Sequence, residues 1–188
     1  MAVYEIKKMG NPVLRRKADT VPEPTAPEIK ALVEDMFDSM NAVSGIGIAA
    51  PQIGVSKQVM IFHVPDDDAP GNDPETRRKV IDNPLTVLVN PEIEVLDETM
   101  EEGWEGCLSV PGLTGLVPRY KKIRYTGTTP EGETIDRVAS DFHARVVQHE
   151  FDHLQGILYP HRMRSNASLI FTSEIEHLED KPTEEELA

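Results

Sequence analysis

Ser140-Asp141-Phe142-His143-Ala144-Arg145-Val146-Val147-Gln148-His149-Glu150-Phe151-Asp152-His153-Leu154-Gln155-Gly156 is the stretch on which the fold turns. Phe142, Val146, His149 and His153 fall on one helical stripe, and Val147, Phe151 and Leu154 on another. A helix apolar on two stripes is buried on most sides, so its polar side chains need partners inside the protein. Ser140 is placed to cap its start and Gly156 its end. The same stretch carries the pattern H-E-x-x-H. His149 and His153, four positions apart, share a helix face where both imidazoles can hold one metal ion. Glu150, beside the first histidine, is then within reach of a proton on a water held there. A lone buried histidine is usually a hydrogen-bonded core residue; two at this spacing around a glutamate are hard to explain that way.

Upstream, residues 4–24 read as an irregular arm punctuated by Gly10-Asn11-Pro12 and Pro22-Glu23-Pro24. Thr25 with Glu28 makes a capping box for an amphipathic helix whose stripe is Ile29, Leu32, Val33, Met36, Phe37 and Met40. Then comes Gly45-Ile46-Gly47-Ile48-Ala49-Ala50-Pro51-Gln52-Ile53-Gly54, apolar but for Gln52. Its glycines do not fit the dinucleotide fingerprint, and no strand precedes them. They mark either a tight loop or a place where foreign backbone approaches closely. Residues 58–64, 85–91 and 93–96 read as strands, and 117–127 and 133–138 as two more joined across Thr129-Pro130-Glu131-Gly132. Residues 66–83 read as a solvated acidic loop. Asn166 to Leu178 reads as a last amphipathic helix, followed by a charged tail. Together these predict one α+β domain over residues 1–188. Short antiparallel hairpins pack around a central buried helix, with an N-terminal and a C-terminal helix beside them.

The formal net charge is −14, which argues against a nucleic-acid or anionic-membrane surface. No run approaches the ~18 apolar residues of a membrane span, and the N-terminus lacks the apolar core of a signal peptide. One cysteine cannot close an internal disulfide, so a reducing, cytoplasmic setting is expected. Cys107 must then be a buried hydrophobe, a reactive thiol or a metal ligand.

A catalytic site of the zinc type takes three protein ligands and leaves one position open. Three candidates exist for the third. Glu174 would follow the thermolysin-like arrangement, but it lies in the acidic C-terminal region. The longer metzincin pattern is nearly present through Gly156, yet its last position is Tyr159 and His161 comes two residues late. Cys107, within Glu105-Gly106-Cys107-Leu108-Ser109 and read as part of a strand, offers a thiolate.

Three motifs fall in one order: Gly45-Ile46-Gly47-Ile48-Ala49-Ala50-Pro51-Gln52, Glu105-Gly106-Cys107-Leu108-Ser109, and Gln148-His149-Glu150-Phe151-Asp152-His153. With Gly10-Asn11-Pro12-Val13-Leu14 and Val110-Pro111-Gly112, the chain resembles the peptide deformylases over roughly residues 4–163. The resemblance implies a metal held by Cys107, His149 and His153. Iron(II) is the expected native ion, with zinc, nickel or cobalt also able to occupy the site. It implies hydrolysis of the N-formyl group from formyl-methionyl nascent peptides, with Glu150 as general acid–base. The Gln52 amide and the Leu108 backbone N–H would be the oxyanion donors. The methionine side chain is expected near Ile46, Phe142, Val146 and His149, and the peptide backbone along Ile46-Gly47 and Gly106. Where relatives often carry an arginine after the cysteine motif, this chain has Thr114, which puts that substrate contact in doubt. The acidic tail gives no support to ribosome docking through the C-terminus. The rivals are an endopeptidase of the H-E-x-x-H type and a protein whose metal is purely structural. Structural zinc normally takes four protein ligands, which counts against the second.

Overall fold

A short central strand buried on both faces sets the architecture. In the computed structural model, which describes residues 2–64 and 85–178, strand β2 (Val59–Phe62) is buried at every position. Met60 and Phe62 pack with Leu88, Ile123, Tyr125, Val147 and Leu154. Val59 and Ile61 point the other way and pack with Ile29, Met36, Met40 and Ile48. A helix covers each face: α1 (Pro27–Asn41) on the second cluster and α2 (Asp141–Leu154) on the first.

The sheet runs β1-β2-β3-β4-β5, all antiparallel. The strands are β1 (Gly47–Ala49), β2, β3 (Thr86–Glu105), β4 (Leu113–Thr128) and β5 (Thr134–Ser140). A two-residue β6 (Ile170–Phe171) pairs with the start of β4. The mixed α and antiparallel β composition agrees with the sequence reading.

Several local expectations need correction. The segments 85–91 and 93–96 belong to one strand, β3, which continues to Glu105. Pro91 cannot donate to the ladder, and the register shifts between Val89 and Glu92 around it. Asn90 takes a positive φ of 51° there, and its side chain exchanges two 2.8 Å hydrogen bonds with the backbone of Val21. The Thr25–Glu28 capping box is not formed: Ala26 is the N-cap, without a side-chain bond, and Pro27 opens the helix. Ser140 holds the N-cap position of α2 but does not make the capping bond.

The predicted helix over 166–178 is replaced by 3-10 turns at Asn166–Ser168 and Thr172–His177 flanking β6. Pairing of Ile170 with Thr114 and of Phe171 with Leu113 holds the middle of that segment extended. The acidic loop 66–83 and the tail 179–188 lie outside the described residues. Among the described residues, no helix is long and apolar enough to cross a membrane.

The C-terminus of α2 follows the sequence closely. Gly156 has φ 74°. The Gly156 N–H donates to His153 O at 3.2 Å and the Ile157 N–H to Asp152 O at 2.9 Å, the paired bonds of a Schellman cap.

Candidate active site and metal centre

The hairpin β3–β4 and helix α2 converge to form the site. Cys107 lies just past the end of β3, in the turn before β4, rather than inside a strand; the Val110 N–H donates to its carbonyl at 2.9 Å. His149 and His153 sit on α2 with ring centroids 5.0 Å apart. The ligand atoms of Cys107, His149 and His153 all lie within 4.8 Å of one another, and Cys107 Sγ is 3.4 Å from His153 Nε2. Of the three candidates for the third ligand, Cys107 is the one the fold brings to the histidines. Tyr159 instead stacks on His149 at 6.4 Å, and His161 accepts a hydrogen bond from the Leu158 N–H.

A buried ionic network fixes this arrangement. Glu105 Oε2 is 2.8 Å from His149 Nδ1, which leaves Nε2 of that ring as its ligand atom. The Arg119 guanidinium donates to both Glu105 oxygens, at 2.8 and 3.0 Å, and to Asp152 Oδ2 at 2.6 Å. Arg145 donates to Glu105 at 2.9 Å and to the carbonyls of Glu101, Gly103 and Val117. Gly103 leaves room for it: a Cβ there would stand 2.7 Å from the guanidinium carbon. Gln148 grips the Tyr120 backbone, donating to its carbonyl at 2.9 Å and accepting from its N–H at 3.1 Å. Arg145, Gln148, His149 and Asp152 on α2 thus each have a buried partner, whereas His153 Nδ1 and Glu150 Oε2 have none. Burial alone would raise the Glu105 carboxyl, but the Arg119 charge and the bonds from His149 and Arg119 outweigh it and hold it well below the usual carboxylate range.

Gln52 is oriented by its own turn. It lies in the 3-10 turn Ala50–Ile53, closed by Gly54 at φ 90°. Its Oε1 accepts from the Ala49 N–H at 2.8 Å, which directs the amide NH2 toward Ser109 Oγ at 3.3 Å and Cys107 Sγ at 3.8 Å. No group among the described residues accepts from the Leu108 N–H.

Glu150 is buried, and its Oε2 has no hydrogen-bond partner. Burial lifts its carboxyl to about 7, although the neighbouring His149 pulls the other way. Gly47 makes room for this side chain. A Cβ on Gly47 would fall 2.5 Å from Glu150 Oε1.

One open cavity of about 480 Å³ connects these groups. Its walls include Gln52, Cys107, Leu108, His149 and Glu150, and also Ile46, Gly47, Gly106, Phe142 and Val146. Each residue anticipated for ligation, catalysis or substrate contact lines it, apart from His153, which is buried beside Cys107. Trp104, Glu105 and Arg145 line it as well and were given no role from sequence. The signal for Arg145 was its place on a helix that had to be buried. Thr114 is fully buried and donates to the Glu105 carbonyl at 3.0 Å, so it serves the β3–β4 turn rather than a ligand.

The sequence profile of the polypeptide deformylases matches residues 3–168. Peptide deformylase 2 of Ralstonia nicotianae is 54% identical over 170 residues, covering 90% of this chain and 92% of that protein. Peptide deformylase 1 of Bordetella pertussis is 51% identical over 90% of this chain and 93% of its own. Among solved structures, the peptide deformylase of Thermotoga maritima superposes with a TM-score of 0.75 at 32% identity, covering 88% of this chain and 100% of that one. A Met-Ala-Ser-bound class I type b peptide deformylase from Acinetobacter baumannii superposes with a TM-score of 0.73 at 36% identity, over 86% and 100% of the two chains.

Proposed function

This chain belongs to the polypeptide deformylase family, and from that premise we propose that the H-E-x-x-H helix α2 and the Cys107 turn together form its catalytic centre. The activity is hydrolysis of the N-formyl group from the N-terminal formyl-methionine of newly made polypeptides, releasing formate. The endopeptidase alternative is not favoured. The observation that carries the assignment of roles is the unpartnered Glu150 carboxylate facing a cavity walled by the Gln52 amide and the Cys107–His149–His153 cluster.

The residues present fit a divalent ion. They offer a thiol and two imidazoles as donors, and Glu105 fixes the ring orientation of one imidazole. When bound, the ion supplies the acidity that makes water nucleophilic near neutral pH and an electrophile for the formyl oxygen. Iron(II) is our reading of the native ion, with zinc, nickel and cobalt as alternatives that the same donors accept.

Glu150 accepts the proton of the attacking water at its unpartnered oxygen and returns it to the departing amine. The Gln52 NH2 and the Leu108 N–H donate to the oxygen on which negative charge develops, a loss of either costing about 3–4 kcal/mol. Gln52 cannot turn its oxygen toward that charge, because the Ala49 N–H already holds it. The methionine side chain lies against Ile46, Phe142, Val146 and His149. The peptide adds as a strand along β1, which ends the sheet, with Gly106 opposite. We place the enzyme in the cytoplasm, where nascent chains emerge. Ribosome contact through the acidic tail is not part of this reading.

The test is formate release from formyl-Met-Ala-Ser by anaerobically purified, iron(II)-loaded protein, with acetyl-Met-Ala-Ser left intact. Full activity in Glu150→Ala would overturn the assigned roles.

A further inference from the structure

A formal charge of −14 hides an uneven distribution. Between Ile6 and Ala18 stand Lys7, Lys8, Arg15, Arg16 and Lys17, with no acidic residue among them. Removing those five cations leaves −19 on the rest of the chain.

The fold fixes this segment as a rigid ledge. Leu14 and Ala18 are buried, at 2% and 4% exposure, while Arg15, Arg16 and Lys17 between them point to solvent. The Ala18 N–H donates to Leu154 O at 2.8 Å, and the Arg15–Arg16 backbone lies against Gly156, where an added Cβ would stand 2.7 Å from Arg16 N. The backbones of Asp19 and Lys57 pair as an isolated parallel β-bridge, which brings a further cation beside the row; the Asp19 N–H donates to Ser56 O at 3.3 Å. Lys7 meets Glu5 at 3.4 Å. Among the described residues no carboxylate pairs with Lys8, Arg15, Arg16, Lys17 or Lys57, whereas Arg119, Lys121, Arg124, Arg145 and Arg162 are all paired.

We propose that this ledge, formed by Lys8, Arg15, Arg16, Lys17 and Lys57, docks the phosphate backbone of RNA. Cations left unpaired on a fixed backbone in an otherwise acidic molecule act as an orienting device. Among the described residues, a polyanion is drawn to this face more strongly than to the acidic remainder. Arg15 and Arg16 offer planar guanidinium groups suited to phosphate. Leu14 and Ala18, which flank the Arg15–Lys17 run, turn inward, and Met9 is the one large apolar side chain between Lys8 and Lys17 that reaches solvent, too little apolar surface to anchor the ledge in a lipid layer. The expectation against a nucleic-acid surface was drawn from the average charge, whereas this proposal concerns one face alone.

The biological meaning of the docking rests on the deformylase reading. A nascent chain is tethered to an RNA-rich machine, and the same arm is bonded to the segments around the cavity. The Lys7 N–H donates to Gln52 O and the Met9 N–H to Ser109 O, each at 2.7 Å. Docking by the arm holds the cavity near the emerging terminus.

The experiment is fluorescence anisotropy of a short labelled RNA hairpin titrated with the metal-loaded full chain between ~50 and ~200 mM salt. With five phosphate contacts at ~0.9 each, log K should fall with log salt at a slope of about −4.5. Arg15→Gln/Arg16→Gln/Lys17→Gln should reduce the slope to about −1.8 and weaken binding at least tenfold at the lower salt. A second variant, Lys8→Gln/Lys57→Gln, should give about −2.7. The control Lys30→Gln/Lys122→Gln/Arg164→Gln removes equal charge elsewhere and should leave binding unchanged. Absence of salt-sensitive RNA binding, an equal loss in the control, or binding to phosphatidylglycerol vesicles but not to RNA would each overturn the proposal. Formate release from formyl-Met-Ala-Ser should be unchanged in the Arg15–Lys17 variant. Its absence from the wild type would strike the deformylase reading and leave the RNA result standing.

Discussion

Gly47→Ala should disable this enzyme without unfolding it. The added methyl would stand 2.5 Å from Glu150 Oε1, 2.9 Å from Cδ and 3.0 Å from Cγ. Reaching an ordinary van der Waals separation of ~3.5 Å requires the carboxylate to retreat by about 1 Å. Gly47 has no positive φ, so the alanine brings no backbone strain, and the carboxylate can yield into the cavity. Stability should therefore change by under ~1 kcal/mol, the scale of a glycine-to-alanine replacement at a compatible site. Catalysis has no such slack, because a displacement of ~1 Å in a reacting group can cost ~100-fold. At 1.36 kcal/mol per tenfold, that is about 2.7 kcal/mol of transition-state stabilisation. The assay is kcat/KM for formate release from formyl-Met-Ala-Ser, run beside thermal unfolding and metal content. Wild-type kcat/KM in a folded, metal-loaded variant would show that the carboxylate position is not what Gly47 protects.

Glu105→Gln removes one member of a buried ionic network and should cost about 3–5 kcal/mol. At ~2–4 °C per kcal/mol, that is a melting point lower by roughly 6–20 °C. Because the folded Glu105 carboxyl is held below its usual range, its contribution is full above the unfolded value of ~4.3 and is lost as pH falls below it. The stability gap between wild type and Glu105→Gln should thus narrow from pH ~5 to ~3 in urea titrations; a constant gap refutes the linkage. Gly156→Ala places a side chain at φ 74° and against the Arg15–Arg16 backbone. A loss of at least ~1–2 kcal/mol in chemical denaturation is expected, and a neutral result would contradict the packing described here. Cys107→Ser should lower metal stoichiometry after gel filtration and raise the metal dissociation rate; unchanged content and activity would move the third ligand elsewhere.

The parts of the fold that sequence exposed are those where periodicity and burial coincide. Helix α2 announced itself through two apolar stripes, and α1 through Ile29, Leu32, Met36 and Met40, all buried. Strand β3 was read in pieces because most of its residues between Glu92 and Glu102 are exposed on both faces, so no alternation marks them. The helix expected over 166–178 had the right stripe, but strand pairing with β4, a tertiary contact, decided the outcome. The residues proposed as ligands and catalytic groups were legible as residue types, and the fold brings them together at one cavity. Their support was not: Glu105 meets His149 across 44 positions of chain and Arg145 meets Gly103 across 42, and no local pattern encodes such contacts.

The ligand cluster joins a hairpin turn to a helix 46 positions later in the chain. Neither element offers all three proposed donors, so retention of an ion there would report on a tertiary event, the seating of the β3–β4 hairpin on α2. Gln148 holding the Tyr120 backbone and Arg145 spanning three carbonyls are then fasteners whose loosening registers first as faster ion escape, before any change in helix or sheet content. The dissociation rate of the ion from the folded protein is therefore a strain gauge for this joint, readable in a chelator competition long before the molecule melts.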